Sequence, residues 1–275
     1  MMCAWKEFLA ILPPWLRFDV DTLGRDTLQE LRLRLKSPPE LILHNKNIWL
    51  GREVTSADIS FCINAASQYS PWSASTAAKG FLTAAGGHRI GICGSVVRKN
   101  GEITGIRNPE SLCLRVARDF PGIGRQLASL TGSVLIVGAP GWGKTTLLRD
   151  LCRHRSAAET LSVVDERGEL FPQQVKRGKR LDVLSGCPKA EGIEMVLRTM
   201  GPECIAVDEI TAEEDCAALI KASCCGVRLL ATAHAASMEE FRSRIIYRPL
   251  VEFGIFDHIV VLNRDKSYTA ERMTA

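Results

Sequence analysis

The stretch "VGAPGWGKTTLLRD", Val137 to Asp150, decides the fold. Gly138, Gly143, Lys144 and Thr145 fit the spacing G-x-x-x-x-G-K-[ST], with Ala139, Pro140, Gly141 and Trp142 between them and Thr146 directly after. Glycines let such a loop curl until several backbone N–H groups face one anion. A helix starting near Lys144 adds the positive end of its dipole. The pattern therefore suits a triphosphate tail, with Lys144 reaching the β- and γ-phosphates and Thr145 holding Mg²⁺. The flanks agree: "SVLIVG" reads as a strand, and "TTLLRDLCRH" as an amphipathic helix. Trp142 falls at a variable position. Its ring is equally suited to packing on a neighbouring surface, lying near a bound base, or slowing nucleotide entry.

Outward from the loop, short continuous apolar runs alternate with helical segments. "LSVVDE", "CIAVDE", "VRLLATAH" and "DHIVVL" read as strands, and "KAEGIEMVLRTM" lies among the helical stretches. Uninterrupted apolar strands separated by helices imply a mainly parallel sheet covered on both faces. Ligands bind at the carboxyl edge of such sheets, so the polar residues ending each strand are the candidates. Hydrolysis needs one acid for the metal and one for the water; at the end of "CIAVDE", Asp208 is expected to hold Mg²⁺ and Glu209 to align the water. Asp165 and Glu166 end "LSVVDE", either feeding the same metal site or fixing Arg167. His234 ends "LLATAH" beside Thr232, where an imidazole can contact the γ-phosphate or its water. Charge developing on the phosphoryl group favours an arginine supplied by a neighbouring subunit; Arg89, Arg115, Arg180 and Arg198 are the candidates. The basic run from Lys176 to Arg180 suits nucleic acid, a solvated loop or a contact between subunits. "HIVVLNRDKSYTAERM" reads as a hairpin with "NRDKS" at its tip.

The chain before the loop reads differently. Residues 1–20 suggest a helix broken at Pro13-Pro14. "LQELRLRLKS" alternates apolar and charged residues, placing Leu31, Leu33 and Leu35 on one face of a strand. "ELILH" and "NIWL" follow as strands about a turn at "NKN". "TSADISFCINAASQYS" reads as a helix in which Thr55 and Asp58 make a capping box. "GFLTAAGGHRIGICGSVV" passes through Gly86-Gly87 into a strand, Asn100-Gly101 marks a hairpin, and "SLCLRVAR" is the returning strand. A smaller mixed α/β domain over 1–120, with an antiparallel sheet, is expected to precede a RecA-like P-loop domain over 121–275, with a boundary near 119–124.

Bulk properties narrow the class. With 275 residues, 46% hydrophobic and 24% charged, the chain has ordinary globular composition. A net charge of +4 (35 − 31) is too mild to argue for nucleic acid by itself. No apolar run approaches the roughly 18 residues of a membrane helix, and the N-terminus lacks the layout of a signal peptide, so a cytoplasmic protein is expected. The ten cysteines form no C-x-x-C pair. Cys93 and Cys204, inside apolar runs, are read as buried thiols behaving as small hydrophobes.

Taken together, "GFLTAAGGHRIGICGSVV", "SLCLRVAR", "VVDERGEL", "LDVLSGCPKAEGIEMVLRTMGPECIAVDEI" and "GVRLLATAHAAS" give the sequence a clear likeness. Over nearly its whole length it resembles the stage III sporulation protein AA family, bacterial relatives of the type II and type IV secretion ATPases. The resemblance implies a RecA-like motor domain behind a smaller N-terminal domain, ATP and Mg²⁺ as ligands, and assembly into a hexamer. Asp165-Glu166 would correspond to the group's aspartate box and His234 to its histidine box. It also implies work in endospore formation, on the mother-cell side. There the ATPase would power a transenvelope channel complex and be recruited by a membrane-anchored partner. The sequence departs from the pattern with Trp142 where a small residue is usual, Gly168 in place of Ser, and Ala235 in place of Gly.

The leading expectation is thus a Mg-dependent ATPase working as a ring, with Lys144, Glu209, Glu166, His234 and Arg198 as its catalytic residues. Two alternatives are a RecA-type motor driven by nucleic acid and a scaffold that binds nucleotide without hydrolysing it. The first lacks aromatic residues interleaved with basic ones, so nucleic acid is not expected as a partner; Glu209 argues against the second.

Overall fold

The computed structural model describes residues 1–43, 46–67, 80–172 and 175–273. Asn45 of the expected "NKN" turn and residues 68–70 of the expected helix lie outside them. The chain divides into two compact units, one holding Met1–Asp119, the other Phe120–Pro172 and Lys176–Ala275.

In the first unit, α1 (Trp5–Ala10) and α2 (Pro14–Leu23) are separated at the two prolines. Pro14 sits in the first turn of α2, where its missing N–H costs nothing. Strands β1 (Leu28–Arg34), β2 (Glu40–Leu43), β3 (Asn47–Trp49), β4 (Phe81–Thr83), β5 (Arg89–Lys99) and β6 (Glu102–Arg115) form one sheet in the order β3-β2-β1-β6-β5-β4. Every described pairing in it is antiparallel. Alternation buries Leu31 and Leu33 on one face, and an irregularity in register between Leu28 and Glu30 lets Leu28 be buried as well while Gln29 is exposed. Helix α3 (Ser56–Ser67) starts at a reciprocal capping box. The Thr55 hydroxyl accepts from the Asp58 N–H at 3.2 Å, and Asp58 accepts from the Thr55 N–H at 2.9 Å. The same alternation overturns one expectation. On β5, Ile90 and Ile92 face inward and Cys93 is exposed, while Cys204 is buried and its thiol is pushed up to about 12 by burial.

In the second unit the strands are β7 (Val134–Val137), β8 (Leu161–Asp165), β9 (Leu181–Ser185), β10 (Cys204–Glu209), β11 (Arg228–Ala233), β12 (His258–Leu262) and β13 (Tyr268–Arg272). Their order is β13-β12-β7-β11-β10-β8-β9. All pairings are parallel except β12 with β13, which closes as an antiparallel hairpin. Every residue of β7 and β8 is buried, as covered parallel strands require. The helices are α4 (Lys144–Arg155), α5 (Lys189–Thr199), α6 (Glu213–Cys224), α7 (Met238–Ser243) and α8 (Arg248–Glu252). Leu135, Val164, Ile193, Ile205, Leu219 and Leu229 share one core. Burying such a side chain stabilises the fold by about 1.5–3 kcal/mol. The neighbour sequence β7-β11-β10-β8 matters most for function: it sets the carboxyl ends of four strands side by side.

Candidate active site

The loop after β7 bends where glycine alone is at ease. Gly141 has φ 76°, and Gly143, the N-cap of α4, has φ 103°. A side chain at either position would be strained. At Gly138 the limit is space, since a Cβ there would stand 3.0 Å from the Leu262 Cβ. The Trp142 N–H closes the turn on the Ala139 carbonyl at 3.2 Å, and its side chain is half-buried.

Lys144, the first residue of α4, is buried and turns back into the loop. Its ammonium donates to the carbonyls of Gly138 (2.8 Å) and Ala139 (3.3 Å) and stands 2.7 Å from His234 Nδ1. With Nδ1 accepting, the imidazole keeps its proton on Nε2, 2.7 Å from Glu209 Oε1. Three side chains, from the loop and the ends of β11 and β10, thus form one line, Lys144–His234–Glu209. Burial holds the Lys144 amine below its ordinary value, against the opposing pull of Glu209 and Asp208.

One residue earlier on β10, Asp208 accepts from the Thr145 hydroxyl at 3.1 Å. Burial raises its pKa first and the charge of Asp165 raises it further, while the Thr145 bond works the other way. A half-buried carboxylate beside a hydroxyl is an all-oxygen donor pair of the hardness Mg²⁺ selects. Among the described residues no group of three or more His, Cys, Asp or Glu could hold a metal by itself. The donor set therefore suits an ion that completes its shell with substrate phosphates and water.

Asp165 does something different. One of its oxygens accepts from the Glu169 N–H and the other from Leu170 and Phe171, all at 2.9 Å. Arg149 of α4 donates to the carbonyls of the same segment, at Leu170 (2.5 Å) and Glu169 (2.8 Å). Gly168 begins it with φ 66°, which suits the glycine at this point of "DERGEL". Glu166 turns the other way and pairs with Lys189 at 2.6 Å, whose amine also stands 3.6 Å from Asp215. Neither acid is bonded to Arg167 among the described contacts. Thr146 follows Thr145 on the first turn of α4. Arg198 is exposed on α5 and pairs with Glu194 at 3.5 Å. Arg180 donates to the Ala158 carbonyl, and Arg115 pairs with Glu30.

Lys189 and Lys266 are not among the sequence candidates. Lys266, on the β12–β13 turn, donates to the Gly141 carbonyl at 2.6 Å. Both are lysines in unremarkable surroundings along the chain, and only the tertiary fold brings them to the loop and the acids.

The family model for "Sporulation stage III, protein AA" matches residues 12–272. The chain belongs to that family. Stage III sporulation protein AA of Bacillus subtilis (strain 168) is 37% identical over 257 residues, covering 87% of this chain and 83% of that protein. Among solved structures, the ATPase DotB of Yersinia pseudotuberculosis aligns with TM-score 0.61 and 16% identity, over 94% of this chain and 77% of that one. The pilus retraction motor PilT with bound ADP aligns with TM-score 0.62 and 13% identity, over 100% and 84%. This family member therefore shares the P-loop fold of the ATPase DotB and the pilus retraction motor PilT. No helix among its described residues is long and apolar enough to cross a membrane.

Proposed function

We propose that the protein is a Mg-dependent ATPase that acts as a hexameric motor for a transenvelope channel complex during endospore formation. One observation carries the reading. The phosphate loop, the Thr145–Asp208 pair and the His234–Glu209 pair meet at one sheet edge, with Lys144 bonded into both the loop and the histidine. A fold shared with ATPases and membership of a sporulation family support it.

In this mechanism the amides from Gly138 to Thr146 and the Lys144 ammonium cradle the phosphates. Thr145 and Asp208 would hold Mg²⁺, which supplies charge neutralisation at the transferring phosphoryl oxygens. Glu209 orients the attacking water. His234 ties the position of Glu209 to that of Lys144, so that the water is aligned when the lysine is correctly seated. Glu166, paired with Lys189, supports the acidic edge from the β8 side. An exposed arginine delivered by a neighbouring subunit, with Arg198 the candidate, stabilises the transition state and makes turnover depend on assembly. The protein works in the cytoplasm on the mother-cell side and is recruited by a membrane-anchored partner. In this reading the domain over 121–275 carries the nucleotide chemistry, behind a smaller domain over 1–120.

The test is Glu209→Gln, with ATP binding measured by calorimetry beside phosphate release. Binding within about threefold of wild type, with turnover reduced at least about a thousandfold, is expected. Normal turnover in that variant would show that Glu209 does not orient the water. Activity per chain should also rise with protein concentration, in step with assembly seen by sedimentation.

A further inference from the structure

The β12–β13 turn is built more rigidly than a connection needs. The Asn263 N–H bonds the Ser267 carbonyl at 2.9 Å and the Lys266 N–H bonds the Asn263 carbonyl at 3.1 Å. The Ser267 N–H and hydroxyl both donate to Asp265 Oδ1, at 2.9 and 2.6 Å, and Asn263 Nδ2 reaches the Ser267 hydroxyl at 3.0 Å. Within this frame Lys266 has φ 73°, a backbone conformation in which glycine or asparagine is the relaxed choice. A lysine held there has a use for its side chain, and that side chain ends 2.6 Å from the Gly141 carbonyl. A second contact joins the same two elements. β12 runs parallel beside β7 with Val261 opposite Val137, and the next residues lie close, the Leu262 Cβ standing 3.0 Å from where a Cβ on Gly138 would be.

From this geometry we infer that Lys266 is a positioning residue for the phosphate loop. It pins Gly141 from the side of the sheet away from Asp208 and Glu209, so that the loop holds its anion-binding shape before phosphate arrives. The strand order supports the direction of the brace: β12 flanks β7 on one side, and β11 and β10 lie on the other. Partial desolvation lowers the pKa of the Lys266 amine, although the residue is exposed. Inside the loop, Lys144 and the Trp142 N–H hold the carbonyls of Gly138 and Ala139, and the Lys266 bond adds a hold on Gly141 from outside. The inference rests on the ATPase reading above and names a residue on which its nucleotide affinity depends.

The experiment uses the full chain as wild type, Lys266→Met and Lys266→Arg. Nucleotide binding is measured by calorimetry, KM and kcat by phosphate release, unfolding by thermal melt, and loop exposure by acrylamide quenching of tryptophan emission without nucleotide. Trp142 is the one tryptophan of the second unit and adjoins Gly141. Lys266→Met should raise Kd and KM about tenfold through lost pre-organisation, change kcat by less than about threefold, leave the melt unchanged, and increase quenching. Lys266→Arg, which keeps a charged donor, should recover most of the loss. Equal affinity and quenching in wild type and Lys266→Met would overturn the inference, as would an arginine variant no better than methionine. If wild type bound no nucleotide at all, the ATPase reading would fail. The quenching difference would still decide the brace.

Discussion

Asp165 and Asp208 stand at the ends of neighbouring parallel strands, and burial pushes both carboxyls above their ordinary range. Their partners separate them. Asp165 accepts three backbone N–H groups from residues 169–171 and holds a piece of chain in place. Among the described residues Asp208 accepts one hydroxyl, from Thr145, and no backbone N–H. Two carboxylates on one sheet edge thus divide the work, one closing a turn and the other available to a ligand. Position at a strand end alone does not separate the two acids; their internal hydrogen-bond partners do.

Substitutions at the two sites can break that contrast. The largest effect is expected from Asp208→Asn, which should lower phosphate release about a hundred- to a thousandfold while the protein stays folded. A variant that kept wild-type turnover would return Asp208 to a structural role. Asp165→Ala should instead lose stability, by about 1–3 kcal/mol for buried N–H groups left without an acceptor. A denaturant melt measures this loss, and limited proteolysis should show faster cleavage near residues 168–171. A pH series sharpens the comparison. Because its carboxyl binds a proton more tightly folded than unfolded, Asp208 costs wild type stability as pH rises from below the unfolded value through the folded one. Asp208→Asn should therefore melt higher than wild type at neutral pH, and the gap should close as pH falls below about 4. A gap that widened in acid would reverse the assigned sign. The smallest effect belongs to Trp142→Gly. The indole is half-buried and its backbone N–H remains in the variant, so nucleotide affinity should shift less than about threefold.

The fold is legible in the sequence where burial is complete. Runs such as "VLIV" and "CIAV", set between helical segments, suit covered parallel strands, and they form β7 and β10. β9 escapes such a reading because it is an edge strand whose interior is only partly buried, which leaves no apolar run to find. β4 escapes it because three residues before a glycine turn carry too little periodicity. Cys93 shows that an apolar neighbourhood is not the same as burial, since period-two alternation decides which face a strand residue occupies. At the candidate site, the loop and the strand-end residues can be located because their chemistry depends on local spacing. Lys266 and Lys189 cannot, because each acts on a segment far away in sequence. Nor does the sequence distinguish Asp165 from Asp208: both end an apolar strand with an acid followed by glutamate, and only the packing shows how many hydrogen bonds each receives.

The Lys144 ammonium is already saturated, with two carbonyls and an imidazole nitrogen around it. A phosphate oxygen can therefore gain it only by displacing something. Entry of a triphosphate is a swap of partners, and its net affinity is the small remainder between two sets of charge-assisted bonds. If the displaced partner is the histidine, the swap reaches the far side of the ring, because the nitrogen that loses the lysine and the one that faces Glu209 belong to the same imidazole.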